Sequence, residues 1–260
     1  MSTGWLAYLR GYIQILKSDD TPMPARQTLK FVGASVTDDG TRTIVDTLAA
    51  GSGALLAYTE YTAGSGTHVF NSASRKRIAH IQAGGGGAGG VTTAASSVKV
   101  AAGAQAGGWQ EIVETGAPTG TGVYSIGAAG TAGNGGTPTN GGDGGNTTLG
   151  MNAGTITSAG GVGSDTIAAG GAVVVNRPRT PATLGGQCGE PGVMVSSALG
   201  ISGMGGSSRY GKGGNSKLGA GATGAAAGAA GSGACSEAAG ASAFNGGAGV
   251  AGLIRIWEFS

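Results

Sequence analysis

The chain has 260 residues, a formal charge of +2, 40% hydrophobic residues, 5% aromatic, 11% charged, and 58 glycines. Glycine at about three times its usual share of ~7% excludes an ordinary side-chain core, because each ordered glycine loses the most backbone entropy and buries no side chain. High hydrophobicity with little net charge argues against a disordered chain, and runs such as Gly84 to Gly87, with only 7 prolines in all, break the every-third-residue rule of collagen.

The glycine tracts therefore favour a polyglycine-type extended helix of three residues per turn, whose bare backbones approach and hydrogen-bond side by side. The few scattered Lys and Arg residues form no basic stripe for nucleic acid or an anionic surface. No apolar run approaches the roughly 18 to 20 residues of a spanning helix, and the first twenty residues lack the pattern of a leader, so neither membrane insertion nor export is expected.

In chain order, residues 1–56 have nearly normal composition. Trp5 to Leu16 is apolar with partial alternation, suited to a strand or an arm packed on a partner. Thr28 to Thr37 reads as a strand, Asp38-Asp39-Gly40 as a turn and Thr41 to Asp46 as the returning strand of a hairpin. Further strand-like runs follow at Tyr58 to Thr62, Thr67 to Phe70 and Arg77 to Gln82, the last ending abruptly in Ala83 to Gly90. Beyond it, glycine tracts alternate with β-type islands at Trp109 to Glu114, Val123 to Ile126, Ala172 to Val175 and Val193 to Val195. The alternating run Leu253 to Phe259 closes the chain and should pair back into a sheet.

No constellation carries catalysis. Gly206 to Gly213 has the spacing of a phosphate loop up to Lys212, but Gly213 stands where a Ser or Thr belongs, with no strand before it or helix after it. His68 and His80 have no metal-ligand spacing and read as strand-borne structural or solvent-facing residues. Asp143, Asp165, Glu190 and Glu237 are isolated in glycine-rich surroundings, with no apolar pocket to tune a general acid. Cys188 and Cys235 read as two separate small residues, since two cysteines make no disulfide framework. No catalytic residue, metal ligand or cofactor is assigned.

The run Ala57 to Gln82 leading into Gly84 to Gly90, the Trp109 island, the glycine tracts and the closing GGAGVAGLIRIWEF together resemble the glycine-rich domains at the tips of bacteriophage tail fibres. Pro22 to Asp39 with Arg42 to Val45 is similar to attachment segments of phage fibre and baseplate-associated proteins. The resemblance implies a mainly β chain: an attachment and trimerisation segment over residues 1–56, then a glycine-rich, β-sandwich-like distal domain over 57–260 with polyglycine-type segments. It implies a homotrimer in the virion tail, assembled in the host cytoplasm, with other tail or baseplate proteins and a bacterial surface glycan, pilus or outer-membrane protein as partners. Trp5, Tyr8 and Phe31 would serve attachment to the tail.

Recognition in such an adhesin belongs to non-glycine insertions, where exposed aromatic and Arg side chains supply contact energy. Two stretches qualify, one with Arg177 and Arg179 in a run stiffened by Pro178 and Pro181, the other with Met204, Arg209, Tyr210 and Lys212. Trp109, Trp257 and Phe259 are expected in the small core or a trimer interface. The alternative function is a purely structural baseplate or tail-tip component without receptor contact.

Overall fold

A computed structural model divides the chain into two units, Met1–Ala54 and Leu55–Ser260. The structure describes residues 53–93, 98–165, 186–196, 199–236 and 242–260, and the backbone of strands at 29–31, 34–38, 43–46 and 175–176. It is mainly β, and its sheets are antiparallel.

In the first unit, β1 (Leu29–Phe31), β2 (Ala34–Asp38) and β3 (Thr43–Asp46) form one sheet in that order. β2 and β3 are the expected hairpin, with Asp38 opposite Thr43. The run expected as one strand over 28–37 is instead two strands paired with each other, Phe31 opposite Ala34. Gly33 lies between them, where a residue with no side chain weakens a strand. Trp5 and Tyr8 lie outside the described residues.

The second unit contains β4 (Leu55–Tyr61), β5 (Ser65–Val69), β6 (Lys76–Gln82), β7 (Val91–Thr93), β8 (Trp109–Thr115) and β9 (Thr121–Ser125). It continues with β10 (Thr147–Met151), β11 (Gly154–Ser158), β12 (Val175–Asn176), β13 (Gly192–Met194), β14 (Gly200–Ile201), β15 (Ser242–Phe244) and β16 (Leu253–Phe259). The terminal strand does pair back: β16 lies inside the sheet β4-β16-β6-β8, between the strands that begin and end the first β-rich stretch. A second sheet runs β11-β10-β9-β5. Period-2 alternation sends Ala79 and Ile81 of β6 and Ile254 and Ile256 of β16 inward, where they meet Phe70, Leu149 and Met151 of the other side. This cluster, with Tyr61, Ile112, Tyr124, Ile126 and Ile156 at its margin, is the largest side-chain core among the described residues, and smaller ones, such as Val98, Val100, Met194 and Cys235, lie among the glycine tracts.

The β10–β11 hairpin was not foreseen in the sequence. Gly150 and Gly154 interrupt its β-formers, but Gly154 supplies the turn, with φ 116, a left-handed value that other residues rarely adopt.

Past the ends of β6 and β8 the chain changes construction. Ala83 to Gly90 is buried along its whole length with almost no side chain, so its backbone groups need partners. Gly84, Gly87 and Gly90 donate to Gly145, Gly142 and Thr139, whereas Gly85 and Ala88 donate to Val250 and Gly247, and Gly86 to Gln105. In return, N–H groups of Gly161 and Ser164 reach the carbonyls of Gly84 and Gly87, those of Gly130 and Gly133 reach Gly85 and Ala88, and that of Gly231 reaches Gly86. Partners thus change with every residue and recur at every third, and the tract bonds six other segments of the chain. The tract 101–107 repeats the pattern, its Ala101, Ala104 and Gly107 donating to Ala234, Gly231 and Gly228.

Glycine is required by the spacing between these tracts. A Cβ on Gly86 would run into the carbonyl of Val162, and one on Gly103 into that of Met204. At the opposite end of the tracts from the core, β7 pairs with β15, and β12, β13 and β14 form a small sheet.

Candidate functional site

The face of β4-β16-β6-β8 turned away from the core is organised in cross-strand rows. Register aligns Glu111 (β8), His80 (β6), Arg255 (β16) and Glu60 (β4) in one row, and Val113, Ile78, Trp257 and Tyr58 in the next. They share a face because each is an alternation partner of an inward residue: Arg255 and Trp257 flank Ile256, and Ile78 and His80 flank Ala79.

The polar row is an ordered set of hydrogen-bonded pairs. His80 Nε2 lies 3.0 Å from Glu111 Oε2, and Arg255 Nε donates to Glu60 Oε2 at 2.7 Å. The Tyr58 hydroxyl donates to the same Oε2 at 2.8 Å. That bond, together with the Arg255 guanidinium, holds the Glu60 carboxyl below the usual carboxylate range. In the apolar row Trp257 packs between Tyr58, with centroids 5.4 Å apart, and His80 at 4.6 Å. Tyr58 is 49% exposed and Val113 53%.

The loop 207–212 joins this face from the glycine region. Ser208 fixes it, its hydroxyl accepting from the N–H groups of Tyr210 and Gly211 at 3.2 Å while its own N–H donates to the Gly211 carbonyl. This serine turn sets Arg209 over the Trp109 ring at 4.7 Å and the Tyr210 ring 4.7 Å from the Arg255 guanidinium. The Tyr210 hydroxyl stands 3.5 Å from His80 Nδ1. Lys212 is exposed at the loop's end.

Of the residues proposed from sequence, Arg209, Tyr210 and Lys212 therefore share one loop. Met204 does not join them: it belongs to a glycine tract, half-buried, its carbonyl accepting from the Glu190 N–H at 2.8 Å. Arg177 and Arg179 lie outside the described residues, and of Phe31 only the strand backbone is described. Trp109 and Trp257 do not fill the core, which Ile, Leu, Met and Phe70 occupy; they lie part-exposed on the outer face, because their strand parity is opposite to that of the isoleucines. Glu60, Glu111, Tyr58 and Arg255 were not singled out in the sequence, although the alternation Ile254-Arg255-Ile256-Trp257 already separates two faces.

A second polar cluster is internal. His68 is buried, with Nδ1 2.9 Å from the Tyr61 hydroxyl and Nε2 3.3 Å from Glu258 Oε1, while Glu258 Oε2 accepts from the Asn71 N–H at 2.8 Å. Burial holds the His68 imidazole below its usual pKa, against the pull of the Glu258 carboxylate. Arg77, fully buried, is paired with Glu114 at 2.9 Å and lies 5.4 Å from the Phe70 ring centroid. The His68 contacts join β5 of the second sheet to β4 and β16 of the first, and Arg77–Glu114 ties the neighbouring strands β6 and β8, which is a structural use of polar groups. Among the described residues no group of three His, Cys, Asp or Glu is placed to hold a metal ion, and no helix is long and apolar enough to cross a membrane.

Comparison with known proteins finds no matching family model, and no curated protein matches the sequence.

Proposed function

We propose that the chain is a tail-fibre or tail-tip receptor-binding protein of a tailed bacteriophage, a component of the virion that mediates adsorption to the bacterial surface and catalyses nothing. The observation that carries this reading is the six-partner hydrogen bonding of Ala83 to Gly90. Donors that change partner at each residue and return at every third match a polyglycine-type helix packed laterally in a bundle. Such a bundle, standing on a β-sandwich, is a stiff support for short recognition loops, and a support of that kind needs no enzyme pocket.

The same reading makes the protein a homotrimer. Val69 and Val123, 71% and 70% exposed, lie on adjacent strands of the second sheet and offer an apolar surface for a neighbouring copy. The first unit would dock to other tail or baseplate proteins. Receptor contact would fall to the 207–212 loop and the outer sheet face beside it, with a surface glycan, pilus or outer-membrane protein as the receptor; nucleic acid and membrane insertion have no part in it.

The test is competition. Purified full chain, incubated with a susceptible bacterium before the phage is added, should block adsorption. A chain that enters virions but neither binds cells nor competes would instead be a structural tail component.

A further inference from the structure

We propose that the outer face of β4-β16-β6-β8 is a saccharide platform, which seats a pyranose ring of a bacterial surface glycan on Trp257 and Tyr58 and takes its hydroxyls on Glu60 and Arg255 of the adjoining polar row. The inference rests on the adhesin reading and specifies the receptor chemistry of that site.

A pyranose presents an apolar C–H face and a rim of hydroxyls, so its site needs an aromatic surface directly beside fixed donors and acceptors. The two rows supply this. Tyr58 and Trp257 stand 5.4 Å apart with rings inclined at 45°, forming a shallow aromatic step that Ile78 and the exposed Val113 continue. The polar row lies two residues further along the same strands, about 7 Å away, so one sugar ring spans from stacking surface to hydrogen-bonding groups.

Glu60 and Arg255 are held ready and incompletely used. Both bonds to Glu60 fall on Oε2, leaving Oε1 to accept from a hydroxyl. Arg255 engages Glu60 through Nε and meets Tyr210 through its planar face, leaving its terminal nitrogens to donate. Because each side chain is already fixed by its neighbour, binding costs little further ordering.

The face suits a glycan better than a second copy of this chain. Contact surfaces between copies are depleted of charge at their centre, whereas a row of two acids, a histidine and an arginine crosses the middle of this one. The Val69 and Val123 surface on the other sheet is the apolar one.

The experiment compares wild-type full chain with Tyr58→Ala and Glu60→Gln, after melting temperature and light-scattering mass have shown that both variants keep fold and assembly. Binding is measured to untreated cells, to protease-treated cells, to cells treated with periodate, which cleaves sugar diols, and to polysaccharide stripped of lipid and protein from a bound strain. The expected result is binding that survives protease and is lost with periodate, quenching of tryptophan fluorescence by the polysaccharide, and at least a tenfold weaker affinity in each variant. Cell binding that protease abolishes and periodate spares, or full affinity in both variants, overturns the proposal while leaving the adhesin reading intact. A fall in mass on Tyr58→Ala overturns it by assigning the face to a neighbouring copy. Failure to bind cells or polysaccharide at all removes the adhesin reading as well.

Discussion

His68 on β5 and Glu258 on β16 meet at 3.3 Å inside the paired sheets, although 190 residues separate them in sequence. The contact ties the first strands of the second unit to the last. Burial favours the neutral imidazole, so the folded chain takes up this proton less readily than the unfolded chain. The contribution is therefore complete above the ordinary value of 6.5 and is lost as pH falls through the window below it. Melting temperature should drop as pH falls below about 6.5, before Glu60 and Glu114, both held below the usual carboxylate value, begin to protonate. His68→Gln should flatten that slope. An unchanged slope would mean that another group titrates there.

Removing Glu258 should be costly. It leaves the Asn71 N–H without its acceptor and the Tyr61–His68 pair without its anchor. Glu258→Ala is expected to lose about 2 kcal/mol by denaturant titration, the range for leaving buried donors unsatisfied.

The glycine tracts make a sharper prediction. Gly86→Ala places a methyl against the Val162 carbonyl, whereas Gly136→Ala meets only the Asn134 side chain, at 3.4 Å. The first should cost about 3 kcal/mol, at the upper end for overpacking, and the second almost nothing, as read by thermal melting of the two variants side by side.

How far the sequence reveals the molecule depends on the distance over which each feature is encoded. The β2–β3 hairpin is local, with strand formers on either side of Asp39 and Gly40, and is legible. So is β16 as a strand, although its Glu258 faces inward and its Trp257 outward, which blurs the two faces in its hydrophobic pattern. The β10–β11 hairpin is obscured because Gly150 and Gly154 resemble the surrounding tracts. The outer face was legible only in part: Arg209 and Tyr210 stand out in a glycine background, but the row they cover draws on four strands from Tyr58 to Phe259 whose register no local pattern records. The internal His68 site is likewise a product of long-range pairing.

Assembly can be tested at the second sheet. Val69→Lys would set a charge at the centre of the proposed contact between copies. Light scattering should then report a monomer where the wild-type chain gives a trimer, with the melting of the paired sheets preserved.

The two cysteines differ in environment. Cys188 is exposed, whereas Cys235 is buried with its thiol 3.7 Å from the Ser236 carbonyl. A thiol reagent should modify one cysteine rapidly in the native protein and the second only on unfolding. Rapid modification of both would contradict the burial of the tract around Cys235.

The most direct measurement is binding of fluorescently labelled full chain to a panel of bacterial strains, with the Arg209→Ala, Tyr210→Ala double variant as comparison. The account predicts saturable binding to a subset of strains and at least a tenfold loss in the double variant. Absence of binding to any strain, or equal binding by the double variant, would contradict the role assigned to this face.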